Sequence, residues 1–217
     1  MLCLFLYLKT DFMLSARYNP IQIAVLLFLL LLNGCENNKL NPLSDDAVIL
    51  AFGDSLTYGV GAKGKTYPQA LEGLSGYKVI NAGISGETTS QGVKRFQLML
   101  DKHSPELVIL LEGGNDILRN NSAKTTKQNL ARMIEMSQKN GSQLILIGVP
   151  KKSLFSDSAA FYIELAEQYN LVFDEALLAD LLRSPKDKSD AIHLNSAGYQ
   201  KLAQGIYQLM QDNGAVK

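Results

Sequence analysis

From Ala47 to Phe52 the chain runs without a polar side chain, then breaks at Gly53-Asp54-Ser55. A short, uninterrupted apolar run bounded by glycine is how a strand covered on both faces of a parallel sheet reads. Parallel strands need crossover helices, so this one stretch already points to an α/β architecture. It also puts Ser55 just past the carboxyl end of a central strand, the edge where ligands bind in open α/β sheets. A lone serine after a strand is more often only a helix N-cap. Its meaning here depends on what else reaches that edge.

The rest of the chain repeats the pattern. Apolar runs at 107–111, 144–149 and 171–173, with the mixed stretch 77–82, predict four further strands. Between them lie helical patterns. One opens near Tyr67-Pro68, with proline in the first turn where its missing N–H does no harm. A second, over 88–102, puts Val93, Phe96 and Leu100 on one face. A third, over 126–140, buries Leu130, Met133 and Ile134 and stops at Asn140-Gly141. Shorter helices are expected at 158–169 and 175–182, and a last one, capped by Asn195, buries Leu202, Ile206 and Leu209. Strands alternating with helices imply right-handed crossovers and a three-layer α/β/α sandwich around a five-stranded parallel sheet. The segments 53–55, 83–86, 113–116 and 151–157 each follow a strand, so they converge on one edge.

The 217 residues, with 21 basic and 21 acidic side chains, suit one globular domain, expected as a monomer. Balanced charge without a basic stretch argues against nucleic acid as a partner. The amino terminus reads differently. Residues 21–32 are apolar except for Gln22, with Arg17 before them and Asn33-Gly34-Cys35 after. That run is short of the roughly 20 residues a membrane span needs, but it suits the apolar region of a signal peptide. A start at Met13 would put Arg17 in the usual basic position. Leu32-Asn33-Gly34-Cys35 resembles the lipobox of bacterial lipoproteins. That resemblance implies removal of residues 1–34, lipidation of Cys35, and anchoring at the periplasmic face of a bacterial membrane. Residues 35–46 then read as a polar tether and 47–217 as the folded domain. Cys3 would leave with the leader, which excludes an intrachain disulfide and a cysteine metal site. Two histidines argue against zinc, and neither metal nor cofactor is expected.

One string competes for attention. Gly59 to Thr66 satisfies the phosphate-loop pattern Gly-x-x-x-x-Gly-Lys-Thr. Six residues separate it from the strand end at Phe52, whereas a phosphate loop starts at the strand end. Neither Asp116, in a turn, nor Asp174, after a very short apolar run, is well placed to hold a metal. The segment reads as a mobile glycine-rich loop, with nucleotide binding as its rival.

Acyl transfer needs a nucleophile, a base, a group that orients the base, and donors for the oxyanion. Ser55 is the candidate nucleophile and His193 the base, because its ordinary pKa lies near working pH. Asp190, three residues earlier, can reach the imidazole from the same turn and fix its tautomer. The Ser55 N–H, the Gly86 N–H and the Asn115 side-chain amide are the candidate oxyanion donors. His103, in Lys-His-Ser-Pro, reads only as a helix end.

Gly53-Asp54-Ser55-Leu56, Gly86 within Asn-Ala-Gly-Ile-Ser-Gly-Glu-Thr, Gly113-Gly114-Asn115-Asp116 and Asp190-Ala191-Ile192-His193 together resemble the four blocks of SGNH (GDSL-type) hydrolases. The likeness is closest to the bacterial thioesterase/arylesterase/lysophospholipase group and covers about residues 47–212. It implies a flavodoxin-like sheet, a Ser55–His193–Asp190 triad, Gly86 and Asn115 as oxyanion donors, and no metal or cofactor. Two departures stand out: Leu194 follows the histidine where proline is common, and 151–157 matches no block. No Gly-x-Ser-x-Gly elbow surrounds Ser55, which disfavours an α/β-hydrolase. The expectation is a lipid-anchored serine esterase acting on small acyl esters or thioesters. A carbohydrate O-deacetylase and a non-catalytic surface lipoprotein are the rivals. Leu154 and Phe155, in the loop after the fourth strand, tilt the reading toward acyl chains.

Overall fold

Strand β1 (Val48–Gly53) lies at the heart of the molecule, and every residue after Val48 is buried. The computed structural model describes residues 39–151 and 157–216. The leader, Cys35, Leu154 and Phe155 therefore lie outside the described residues. β1 is followed by β2 (Lys78–Gly83), β3 (Leu107–Leu111), β4 (Gln143–Ile147) and β5 (Val172–Asp174). All neighbours pair in parallel, in the order β2-β1-β3-β4-β5. This is the expected five-stranded α/β sheet. The order reverses between β1 and β3, so the loops leaving those two strands flank the crevice where such sheets bind ligands.

Helices cover both faces. On one lie α1 (Ser55–Tyr58), the single turn that follows β1, and α2 (Tyr67–Ser75). The other carries α3 (Thr89–His103). The chain continues through α4 (Gly114–Leu118), α5 (Ala123–Lys139), α6 (Ala160–Gln168), α7 (Leu177–Arg183) and α8 (Ser196–Asp212). α2 packs on α8 and α8 on α7, while α3 packs on α5 and α5 on α6. Ile49, Leu50, Ala51 and Phe52 are fully buried, and each larger side chain among them contributes about 1.5–3 kcal/mol. Phe52 meets Phe96 edge-on at 4.8 Å, and the Arg95 guanidinium lies 4.0 Å over the Phe52 ring.

Local signals account for most helix ends. Pro68 sits in the first turn of α2, and Thr66 and Gln69 form a reciprocal capping box. Asn195 accepts from the Ala197 and Gly198 N–H groups, as its place before α8 predicts. α5 starts earlier than the expected residue 126, because Ser122 accepts from the Thr125 N–H and caps the helix there.

Two expectations need correction. The folded domain begins before Ala47: Leu40 and Leu43 are buried, and their N–H groups donate to Asn213 and Ala215 at 3.0 and 2.9 Å. The end of the presumed tether is therefore part of the globule, held by two leucines in an otherwise polar stretch. The glycine-rich segment is also less free than expected. The Tyr199 hydroxyl donates to the Val60 carbonyl and the Ser196 hydroxyl to the Ala62 carbonyl, pinning its first half to α8. α1 intervenes between β1 and this segment, so it lacks the strand-end start of a phosphate loop.

Candidate active site

The turn after β1 is set by Asp54. Its Oδ1 accepts the Leu56 N–H at 3.0 Å and caps α1, which makes Ser55 the first helical residue. A first-turn N–H has no acceptor within its own helix, so the Ser55 N–H is available at the cleft. Opposite it, residues 188–194 turn back before α8. The Asp190 Oδ1 accepts the Ile192 and His193 N–H groups at 2.9 and 2.8 Å, which folds the turn around the carboxylate. Its other oxygen, Oδ2, lies 2.8 Å from His193 Nδ1, and His193 Nε2 lies 3.0 Å from the Ser55 hydroxyl.

These contacts assign the tautomer. Burial pushes the Asp190 pKa up, but the two N–H groups and the imidazole together outweigh it and hold the carboxyl below its ordinary value. An ionised carboxylate only accepts, so Nδ1 carries the proton and Nε2 is free to accept from Ser55. The chain brings these groups together across 138 residues.

The expected oxyanion donors stand in different states. Ser55 and Asn115 line one cleft together. Asn115 Nδ2 donates to Asp54 Oδ2 at 3.2 Å, which fixes the amide and leaves its second hydrogen free. Gly86 does not line the cleft. It lies on the loop after β2 with φ +80°, a left-handed conformation that favours glycine, and Arg119 holds its carbonyl at 2.9 Å. Gly113-Gly114-Asn115-Asp116 contains the start of the short helix α4. Gly113 has φ +107°, and a Cβ there would lie 2.6 Å from the Tyr162 hydroxyl.

Beneath this edge lies a group of buried acids that sequence reasoning missed. Burial lifts the Asp54 pKa to about 6, opposed by the Leu56 N–H and by the nearby His193 imidazole. Glu87 pairs with Arg95, whose Nε lies 2.7 Å from Oε1. Asp116 accepts the Thr89 N–H and hydroxyl at 2.7 and 3.0 Å. Glu112 is fully buried, and among the described residues neither carboxyl oxygen makes a well-formed hydrogen bond, the Gly113 N–H being the one donor that acts on it. Burial, reinforced by Asp54 and Glu87, drives its pKa well above the ordinary value. The signal for Asp54 and Glu112 was present in the sequence as acids directly abutting fully apolar strands.

The cleft holds about 360 Å³. Leu56, Ile117, Val149, Leu182 and Ile192 form much of its wall, and Lys151, Arg183 and Lys188 contribute cations. Among the described residues no three His, Cys, Asp or Glu side chains group as metal ligands. His103 is the last residue of α3, as expected.

A family model for GDSL-like lipases/acylhydrolases matches residues 51–201. An arylesterase of Vibrio mimicus is 30% identical over 175 residues, 74% of this chain and 86% of that one. Thioesterase 1/protease 1/lysophospholipase L1 of Escherichia coli K12 is 26% identical over 172 residues, 75% of this chain and 83% of that one. The uncharacterized lipoprotein YqeF of Bacillus subtilis is 33% identical over 139 residues, 57% of this chain and 55% of that one. Among solved structures, the SGNH-hydrolase family esterase AlinE4 superposes with TM-score 0.61 at 32% identity, covering 78% of this chain and 97% of that one.

Proposed function

The chain belongs to the GDSL-like lipase/acylhydrolase family and is a carboxylic-ester hydrolase, and from that premise we propose a serine acyl-enzyme mechanism. Ser55 attacks the acyl carbonyl while its proton passes to His193 Nε2, and Asp190 steadies the imidazolium that forms. The Ser55 N–H and the Asn115 amide, which share the cleft, receive the oxyanion, and the family resemblance adds the Gly86 N–H from the neighbouring loop; one such donor is worth roughly 10²–10³ in turnover. His193 then protonates the departing alcohol or thiol. Water then adds to the acyl carbon as its proton passes to the same nitrogen. Collapse breaks the acyl–Ser55 bond while His193 returns that proton to the Ser55 oxygen, releasing the acid.

The observation that carries this reading is the unbroken Ser55–His193–Asp190 chain, at 3.0 and 2.8 Å. The apolar wall of the cleft favours acyl esters or thioesters over acetylated sugars. The substrate is a small acyl ester or thioester, taken without a cofactor by a monomer. Cys35 carries a lipid after removal of residues 1–34 and anchors the domain at the periplasmic face of a bacterial membrane. The Leu32–Cys35 motif supports this, as does the likeness to a chain described as a lipoprotein.

A rate series separates the readings: p-nitrophenyl acetate, longer p-nitrophenyl esters, acyl thioesters and acetylated sugars, with Ser55→Ala as control. Longer esters and thioesters should turn over faster than acetylated sugars, and the variant should lose about 10³-fold or more. Unchanged hydrolysis by Ser55→Ala would mean a different nucleophile, and preference for the sugars a deacetylase.

A further inference from the structure

Residues 39–44 are fixed at one end of the sheet. Lys39 Nζ donates to the Leu171 carbonyl at 3.3 Å, just before β5. The Asn41 N–H meets the Gln143 side chain at 2.5 Å, at the start of β4. The Ser44 N–H donates to Glu106 at 3.1 Å, just before β3. Leu40 and Leu43 bond to Asn213 and Ala215, beyond the carboxyl end of α8. Every partner lies at the amino-terminal edge of the strands. Ser55 and Asn115 follow the carboxyl ends of β1 and β3. The two edges are separated by strands of five to six residues, roughly 16–20 Å.

We infer that the bilayer holding the anchor faces the amino-terminal edge, and that Ser55 opens away from it into the aqueous compartment. This rests on the lipid-anchor reading of Cys35. Five peptide steps separate Cys35 from Leu40, a reach of at most about 18 Å. A domain of this length is roughly 40 Å across. To lay the active edge on its own membrane, the attachment would have to run round the globule, and it is too short. The amino-terminal edge carries exposed Lys78, Lys102 and Lys139 beside exposed Asp45, Asp46 and Asp101, so attachment rather than charge sets the orientation. Exposed Tyr58 and Ile84 follow β1 and β2, and exposed Ile192 lines the cleft from the turn before α8, so these apolar side chains belong to the active edge rather than the anchored one. The substrates are accordingly acyl esters dissolved or carried in the aqueous phase, not lipids of the leaflet that holds the anchor.

The test uses the full lipidated chain in vesicles with a long-chain fluorogenic ester that the detergent-solubilised protein hydrolyses. The ester is placed either in the protein's own vesicles or in a second, protein-free population. An active site that reached its own bilayer would gain on the order of 10²-fold from tethering. The inference predicts no such gain for the native chain. It predicts that gain once about 30 Gly/Ser residues, enough to pass round the domain, are inserted before Asn38. A large own-vesicle gain in the native chain overturns the inference, and so does a long-linker variant no faster than native. Mass analysis of Cys35 and turnover of p-nitrophenyl acetate separate the causes. A bare Cys35 overturns the inference with the anchor, and absent p-nitrophenyl acetate turnover refutes the hydrolase mechanism itself.

Discussion

Replacing Glu112 with glutamine should stabilise the protein, and by more as the pH rises. Among the described residues neither oxygen of this carboxyl makes a well-formed hydrogen bond; the pull of the Gly113 N–H is outweighed by burial, to which Asp54 and Glu87 add in opposing ionisation. Its folded pKa therefore stands well above the ordinary 4.5. For a carboxyl raised in this way, the folded state keeps a proton that the unfolded state releases. Stability is accordingly greatest below the unfolded value and falls as pH rises toward the folded pKa. Within that window the loss is about 1.4 kcal/mol per pH unit for one proton. Glutamine keeps the shape without the titration. Urea midpoints at pH 4, 5, 6 and 7 should therefore diverge, with the two proteins close at pH 4. The variant should gain roughly 1.4 kcal/mol per unit above pH 5, until Glu112 itself ionises in the folded protein. Asp54 shifts in the same sense but is common to both proteins, so it cancels in the difference. Parallel pH profiles would refute the reasoning and mean that Glu112 has an unseen partner.

Two further outcomes are expected. Asp54→Asn should lower kcat about 10–100-fold with little change in KM, because a second amide facing Asn115 Nδ2 replaces an acceptor with a donor. Its effect should be much less than multiplicative with Asn115→Ala in a double-mutant kinetic cycle; full additivity would mean the two residues act separately. Leu43→Ala should cost about 2–5 kcal/mol in urea unfolding and leave p-nitrophenyl acetate turnover unchanged. A cost under about 0.5 kcal/mol would mean that the segment before Ala47 is only a tether.

The sequence made the sheet legible because its strands are buried on both faces, so β3 stands out as an unbroken run with the observed bounds of 107–111. Helix ends were legible where a single residue decides them, as Pro68 and Asn195 do. The proposed triad was reached through four short blocks rather than any local rule, since Ser55 and His193 meet across 138 residues. What stayed hidden depends on contacts between distant segments. Leu40 and Leu43 give no periodic signal, and their partners lie at the far end of the chain. Glu87 and Arg95 look like surface charges, yet one is buried and the other stacks on Phe52. Gly113-Gly114-Asn115-Asp116 reads as a turn because glycine is a poor helix former, while Gly114–Leu118 forms a short helix at whose start Gly113 and Gly114 leave little room for a Cβ beside Tyr162 and Asp54.

The proposed mechanism requires that the acyl group pass through the Ser55 hydroxyl. Rapid acid quench during turnover of a slow p-nitrophenyl ester, followed by peptide mass mapping, tests this directly. The predicted result is one acyl mass on the peptide containing Ser55, lost in Ser55→Ala and accumulating in His193→Ala if that variant is slowly acylated. An acyl mass on any other residue, or undiminished turnover by Ser55→Ala, would contradict the account.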